Sequence, residues 1–212
     1  MVTPYYNRPT QEGLYRHFAA VDIPLVLYDV PKRTGVDLHP RTIEQLAAIR
    51  SIVGIKDASG IAERPRTTAL VAGPRFTQLC GDDAVAVTFN VAGGRGCISV
   101  VANVVPSLYR DLQQACRKKD LPAARAIQHR LKPLLDALGR ESNPGLIKHA
   151  LSLVHPGFSR ELRPSLVGVA PGTAAEIADA LAVLGLVADA PTVGVMSAWN
   201  GRRKGATVWR AE

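Results

Sequence analysis

Apolar positions fall in short continuous runs along the first hundred residues, and each run is closed by polar or turn-forming residues. Leu25-Val26-Leu27 leads into Tyr28-Asp29, and Ile52-Val53-Gly54-Ile55 leads into Lys56-Asp57. Residues 75–80 lead into Gly81-Asp82-Asp83, and Cys97-Ile98 leads into Ser99-Val100. Runs of this length, rich in β-branched residues, predict strands buried on both faces, as in a parallel sheet. Val2-Thr3-Pro4-Tyr5-Tyr6 reads as the end of a further strand or a loop, because proline cannot donate to a ladder.

Between these runs the period lengthens to that of a helix. Thr10 is placed to cap a helix through Leu14 and Phe18 to about Val21. Pro40 opens a second, in which Ile43, Leu46 and Ile49 recur at helical spacing. A third is predicted over residues 62–71, where Pro65 is tolerable only in the first turn. A short one runs to Val91, whereas Pro31 and Gly35 mark a loop. The strand ends therefore lie near Tyr6, Tyr28, Lys56, Gly81 and Ser99. One strand, one helix and two short loops separate each from the next, which predicts repeated βα units with right-handed crossovers. After Val100 the pattern is helical only, with stretches at 106–118, 121–138, 145–154 and 173–184.

The predicted class is α/β. A (β/α)8 barrel takes roughly 250 residues, and this chain supplies four complete strands and the tail of a fifth. The expected organisation is the C-terminal half of a barrel over residues 1–104, a helical region over 105–186 and a weakly ordered tail over 187–212. The polar residues at the strand ends, including Asp29, Asp57, Asp82 and Asp83, would lie on the ligand face of a barrel or of an open sheet. No Gly-x-Gly-x-x-Gly opens a helix, and Gly93-Gly94-Arg95-Gly96 precedes a strand.

Lys56 is the unusual guest in this pattern. Burying an ammonium is costly, and a buried lysine tends to lose its proton. A neutral amine at a strand end is a nucleophile suited to forming a Schiff base with a carbonyl compound. The plain alternative is that Lys56 has left the strand and stands in solvent. For Tyr28, Tyr5, Tyr6 and Arg33 the corresponding alternatives are packing tyrosines and a surface charge.

Composition narrows the classes of function. Of the 212 residues, 47% are hydrophobic and 21% charged, which is ordinary for a globular protein. No apolar run is long enough to cross a membrane, and the first residues have no basic stretch followed by an apolar one, so neither membrane nor signal peptide is expected. The net charge of +8 gathers over residues 110–140 and at Arg202-Arg203-Lys204. No aromatic residues interleave with it, so a solvated helix face is expected rather than nucleic acid. Cys80, Cys97 and Cys116 are odd in number and distant in sequence, which fits neither a disulfide framework nor a metal site and suggests a reducing cytoplasm.

Five stretches taken in order carry a resemblance. They are Thr3-Pro4-Tyr5-Tyr6-Asn7-Arg8-Pro9, Leu27-Tyr28-Asp29-Val30-Pro31-Lys32-Arg33-Thr34-Gly35, Gly54-Ile55-Lys56-Asp57-Ala58-Ser59-Gly60, Gly81-Asp82-Asp83, and residues 93–103 from Gly93 to Asn103. Over about residues 2–185 the sequence resembles the dihydrodipicolinate synthase family of pyruvate-dependent Schiff-base aldolases. The resemblance implies a (β/α)8 barrel with C-terminal helices, and a lyase-type condensation of pyruvate with L-aspartate 4-semialdehyde in lysine (diaminopimelate) biosynthesis. It implies Lys56 as the Schiff-base nucleophile, Tyr28 as proton shuttle and Tyr6 as a relay tyrosine lent across subunits. Arg33 resembles the guanidinium that holds the semialdehyde carboxylate, and Ile98 and Gly81 resemble residues lining the pyruvate pocket. Tyr5 corresponds to a position at a lysine-feedback site. The family needs no metal or organic cofactor and forms homotetramers as dimers of dimers. An arginine at position 33 favours the synthase over the sialic-acid (N-acetylneuraminate) lyases and the 2-keto-3-deoxy sugar-acid aldolases of the same superfamily.

Three departures accompany the resemblance. The family's Gly-Thr-Thr-x-Glu-type motif, which completes the proton relay and holds the pyruvate carboxylate, does not occur in the sequence. Residues 18–24 are about one helical turn shorter than in the family. From about Val187 onward nothing matches. The chain is thus expected to be N-terminally truncated and to lack appreciable synthase activity by itself. A non-catalytic barrel remnant, or a half-barrel that pairs with another, is the alternative from outside enzymology.

Overall fold

The computed structural model describes residues 1–187; the tail expected at 187–212 lies, apart from Val187, outside the described residues. Helix α1 (Gln11–Ala19) starts where the Thr10 hydroxyl accepts the Gly13 N–H at 3.3 Å. Strand β1 (Leu25–Asp29) follows, then a one-turn helix α2 (Pro31–Thr34) and helix α3 (Pro40–Ala47). Strand β2 (Ile52–Asp57), helix α4 (Arg64–Ala72), strand β3 (Thr77–Cys80) and helix α5 (Ala86–Val91) continue the alternation. Prolines sit in the first turns of α2, α3 and α4, where a missing N–H and a fixed φ cost nothing.

The strands are parallel and lie in the order β1-β2-β3. At the β1 edge, Val2 forms an isolated parallel bridge to Tyr28, and beyond β3, Cys97 bridges to Cys80. Chain order and sheet order therefore coincide, each strand returning by a helix to lie parallel beside the one before it. Gly54 makes the β2–β3 pairing possible: a Cβ there would stand 2.3 Å from the Thr77 carbonyl oxygen.

Alternation along each strand divides the sheet into two faces. Leu25, Leu27, Ile52 and Ile55 are buried with Leu14, Phe18, Leu38, Ile43 and Leu46, which forms the core between the sheet and its helices. Strict alternation is interrupted near the start of the pair, where the register shifts between Leu25 and Val26 so that Leu25 faces Ile52 and Leu27 faces Ile55. A second core holds the helical region together. Helices α6 (Pro106–Arg117), α7 (Leu121–Ala137), α8 (Gly145–Val154) and α9 (Pro171–Val183) bury Leu112, Leu131, Leu134, Leu146, Ile177 and Leu181 around Val101 and Val104. Ile49 lies beyond the end of α3, yet still packs against the first core.

Two expectations are corrected. Pro31 and Gly35 bound a helical turn rather than a loop, because Pro31 is pre-set for a first helical position and the Gly35 N–H returns to the Pro31 carbonyl. The strand expected at Cys97-Ile98-Ser99-Val100 shrinks to the single bridge at Cys97. The Asp83 carboxylate takes the N–H groups of Val100 and Val101 at 2.8 and 3.0 Å. That turns the backbone into the 3₁₀ segment Val101–Asn103 instead of a continued ladder. Among the described residues no helix is long and apolar enough to cross a membrane.

Candidate active site

Strand alternation decides which side chains meet at the sheet's C-terminal edge. Tyr28 and Lys56 are paired in register, and so are their successors Asp29 and Asp57. Tyr28 and Lys56 face a cavity of about 670 Å³, open to solvent and bordered also by Gly81-Asp82-Asp83 and by residues of the helical region up to Asn143. The Lys56 Nζ lies 4.0 Å from the centroid of the Tyr28 ring. Lys56 has not left the strand; it is half-buried and part of β2. An ammonium over a phenol ring gains about 0.5–2 kcal/mol, depending on its desolvation.

Gly81 leaves room for the lysine stem. A Cβ at that position would stand 3.0 Å from Lys56 Cε and 2.8 Å from Ala58 Cβ. The Gly81 N–H also donates to the Asp57 carbonyl at 2.6 Å, which ties the β3 exit to the end of β2. Arg33 reaches into the cavity from α2, and its Nη2 donates to the Asn143 carbonyl at 3.4 Å. Arg140 lines the same cavity and pairs with Glu176 at 2.8 Å. The cavity thus brings the Lys56 amine, the Tyr28 phenol and the Arg33 and Arg140 guanidinium groups together, with Lys32 and the carboxyl groups of Asp82, Asp83 and Asp136 also on its lining. The amine and guanidinium groups suit a small carboxylate that carries a carbonyl group.

The other residues singled out in the sequence lie elsewhere. Tyr6 is 90% exposed with φ 61°, and Tyr5 is 68% exposed. Neither lines the cavity. Ile98 is exposed, with its N–H on the Cys80 carbonyl at 2.8 Å. Cys80 and Cys97, distant in sequence, are parallel bridge partners. Contact with Cys80, together with burial, holds the Cys97 thiol well above its usual range.

Asp29 and Asp57 do not share the ligand face. The pleat turns them to the helix side, where they are 0% and 5% exposed. There they meet Arg64, the first residue of α4, which sequence reasoning missed. Its Nη2 lies 3.2 Å from Asp29 and 2.7 Å from Asp37, and its Nε lies 3.3 Å from Asp57. The same Nη2 donates to the Leu38 carbonyl. The available signal was the period of two along β1 and β2, with an arginine opening the helix that follows. Burial, reinforced by hydrogen bonding to Asp37 and by its charge, pushes the Asp29 carboxyl up to about 8. Burial acts to raise Asp37 as well, but hydrogen bonds from Asp29 and Arg64 outweigh it and leave Asp37 below its usual range.

The sequence profile of the Dihydrodipicolinate synthetase family matches residues 1–183. The chain belongs to this family. The 4-hydroxy-tetrahydrodipicolinate synthase of Acidiphilium cryptum is 47% identical over 193 residues, covering 89% of this chain and 65% of that protein. Its counterpart from Rhodospirillum centenum is 48% identical over 158 residues, covering 73% and 54%. Among solved structures, the dihydrodipicolinate synthase of Thermotoga maritima superposes with a TM-score of 0.82 at 37% identity, over 88% of this chain and 65% of that one. The chloride-inhibited dihydrodipicolinate synthase of Acinetobacter baumannii, complexed with pyruvate, gives 0.82 at 38% identity over the same shares. This member of the dihydrodipicolinate synthetase family thus spans just under two thirds, or less, of the length of these relatives.

Proposed function

We propose that Lys56 forms a Schiff base with pyruvate, as the nucleophile of a 4-hydroxy-tetrahydrodipicolinate synthase. The observation that carries the reading is the in-register pair Tyr28 and Lys56, with the amine 4.0 Å from the phenol ring inside the cavity that Arg33 enters. Nζ attacks the keto carbon of pyruvate, the carbinolamine loses water, and the imine loses a methyl proton to give an enamine. The enamine carbon adds to the aldehyde of L-aspartate 4-semialdehyde. The amino group of that substrate then closes the ring and displaces Lys56. Tyr28 carries protons to and from the departing hydroxyl and the enamine, Arg33 pairs with the semialdehyde carboxylate through its planar fork, and Gly81 belongs to the pyruvate side of the site, to which the family resemblance alone adds the exposed Ile98.

Under the same reading β1, β2, β3 and the flanking bridges are consecutive staves of the C-terminal half of a (β/α)8 barrel. The exposed Tyr6 serves the site of a neighbouring subunit in a homo-oligomer, and Tyr5 lies at a regulatory contact. The setting is the cytoplasm. For the 212 residues by themselves we propose imine formation without appreciable synthase turnover, since no Gly-Thr-Thr-x-Glu-type stretch occurs among them to complete the relay.

The test is borohydride reduction in the presence of pyruvate, followed by mass mapping. A reduced pyruvyl adduct on Lys56, absent from Lys56→Arg, is the expected result. No adduct, or an adduct spread over other lysines, overturns the assignment.

A further inference from the structure

Beyond the residues that face the cavity, the geometry points to Arg64 as a positioning residue: its guanidinium clamps the ends of β1 and β2 from behind and thereby sets Lys56 against Tyr28. The functional part of this inference rests on the Schiff-base reading above.

The connection is short. Asp29 follows Tyr28 directly, and Asp57 follows Lys56 directly, and the two pairs are neighbours in the same register. One guanidinium touches both carboxylates, at 3.2 and 3.3 Å, while its Nη2 also reaches Asp37 and the Leu38 carbonyl. Arg64 is 8% exposed, and its contacts to Asp29 and Asp57 are made away from solvent, where each is stronger and its geometry more tightly defined than at the surface. The backbone adds little redundancy beyond this level: the Ala58 N–H donates to the Asp29 carbonyl at 2.8 Å, and there the β1–β2 pairing ends. Without the guanidinium, the Asp57 carboxylate would be buried without its charged partner, and Asp29 would lose the group that ties it to Asp57. A buried charge stripped of its partner is costly, and the ends would part or rotate to reach solvent. Because side chains alternate across a strand, any rotation that relieves Asp29 and Asp57 moves Tyr28 and Lys56 on the other face.

The proposal separates positioning from mere stability. Reductive ¹³C-methylation of the lysines gives each a resolved resonance, and the Lys56 signal, assigned by its loss in Lys56→Arg, is shifted by the ring current of Tyr28. In Arg64→Met this signal is expected to move to the position of a solvent-exposed lysine, and borohydride trapping of pyruvate on unmethylated protein to slow at least 10-fold per folded molecule. Arg64→Lys, which keeps the charge but not the fork, is expected to recover part of both. Should Arg64→Met fail to fold, Asp57→Asn, which preserves shape, decides the question through the same two readouts. A Lys56 resonance and a trapping rate unchanged in a folded variant overturn the proposal. If the unsubstituted chain gives no pyruvate adduct, the Schiff-base reading falls, and the resonance alone still confirms or refutes the positioning role.

Discussion

The Lys56 amine rests 4.0 Å from the centroid of the Tyr28 ring, and the two residues are direct neighbours across the β1–β2 ladder. That relationship joins two properties of the tyrosine. Its ring face holds the amine, and its hydroxyl is available for proton transfer.

Tyr28→Phe keeps the ring and removes only the hydroxyl. The ring-current shift of methylated Lys56 is expected to persist, and thermal stability to change by less than about 1 kcal/mol, since Tyr28 is half-buried. Pyruvate adduct formation should slow by roughly 100-fold or more, the scale of a lost general acid or base. Stopped borohydride trapping over time measures it. An unchanged rate would remove Tyr28 from the chemistry.

Two glycines should respond differently to the same methyl group. At Gly81 the new Cβ meets the flexible Lys56 stem at 3.0 Å and the Ala58 methyl at 2.8 Å. Gly81→Ala is thus expected to displace Lys56 and slow its trapping, at about 1–3 kcal/mol of stability. At Gly54 the methyl would stand 2.3 Å from the Thr77 carbonyl oxygen, inside the β2–β3 ladder. Gly54→Ala should unfold the sheet or lower the denaturation midpoint well beyond the Gly81 variant. Equal midpoints would refute this reading of the strand pairing.

Stability should depend on pH through Asp29. Its carboxyl is raised from the usual range to about 8 by burial and by Asp37, so between about pH 4 and pH 8 the folded state holds a proton that the unfolded state has released. Folding stability therefore falls as pH rises across that window. Asp29→Asn, which cannot ionise, should flatten the slope. Urea titrations at pH 5 and pH 8 measure the difference, and a slope unaltered by the substitution would contradict the assignment.

Asp83 ties the cavity wall to the helical region. It is almost fully buried, and its carboxylate accepts the Val100 and Val101 N–H groups. Asp83→Ala leaves both donors without that partner and is expected to cost about 2–4 kcal/mol. Hydrogen exchange at Val100 and Val101 should accelerate more than exchange in β1. Uniform acceleration would mean that the loss is global rather than local to this turn.

Much of the site was legible because it obeys short-range rules. Short continuous apolar runs closed by polar residues placed Lys56 and Tyr28 at the ends of strands, and proline and capping residues located the starts of α1, α3 and α4 to within a few positions. What escaped depends on contacts that no local pattern records. Arg64 is an ordinary helix-opening residue until the fold brings Asp29, Asp37 and Asp57 around it. The polar pairs at the strand ends were read as one ligand face, although alternation permits only one member of each pair to point there. Cys97–Val100 carries strand propensity, but a carboxylate from Asp83 competes for its N–H groups, and tertiary hydrogen bonding overrides the propensity. Tyr6 and Ile98 are surface residues of the described chain, so nothing within one copy determines what they meet.

Because sheet order follows chain order, the parts of the cavity differ in when they become available during synthesis. Tyr28 and Lys56 become neighbours once residue 57 has joined residue 29, a loop of modest length whose closure entropy is small. The residues from Leu135 to Asn143 that form its far wall lie some eighty positions later. On a ribosome the N-terminal part folds first. The nascent chain therefore presents its amine and phenol together while the far wall of the cavity is still absent, and the helical region adds that wall last.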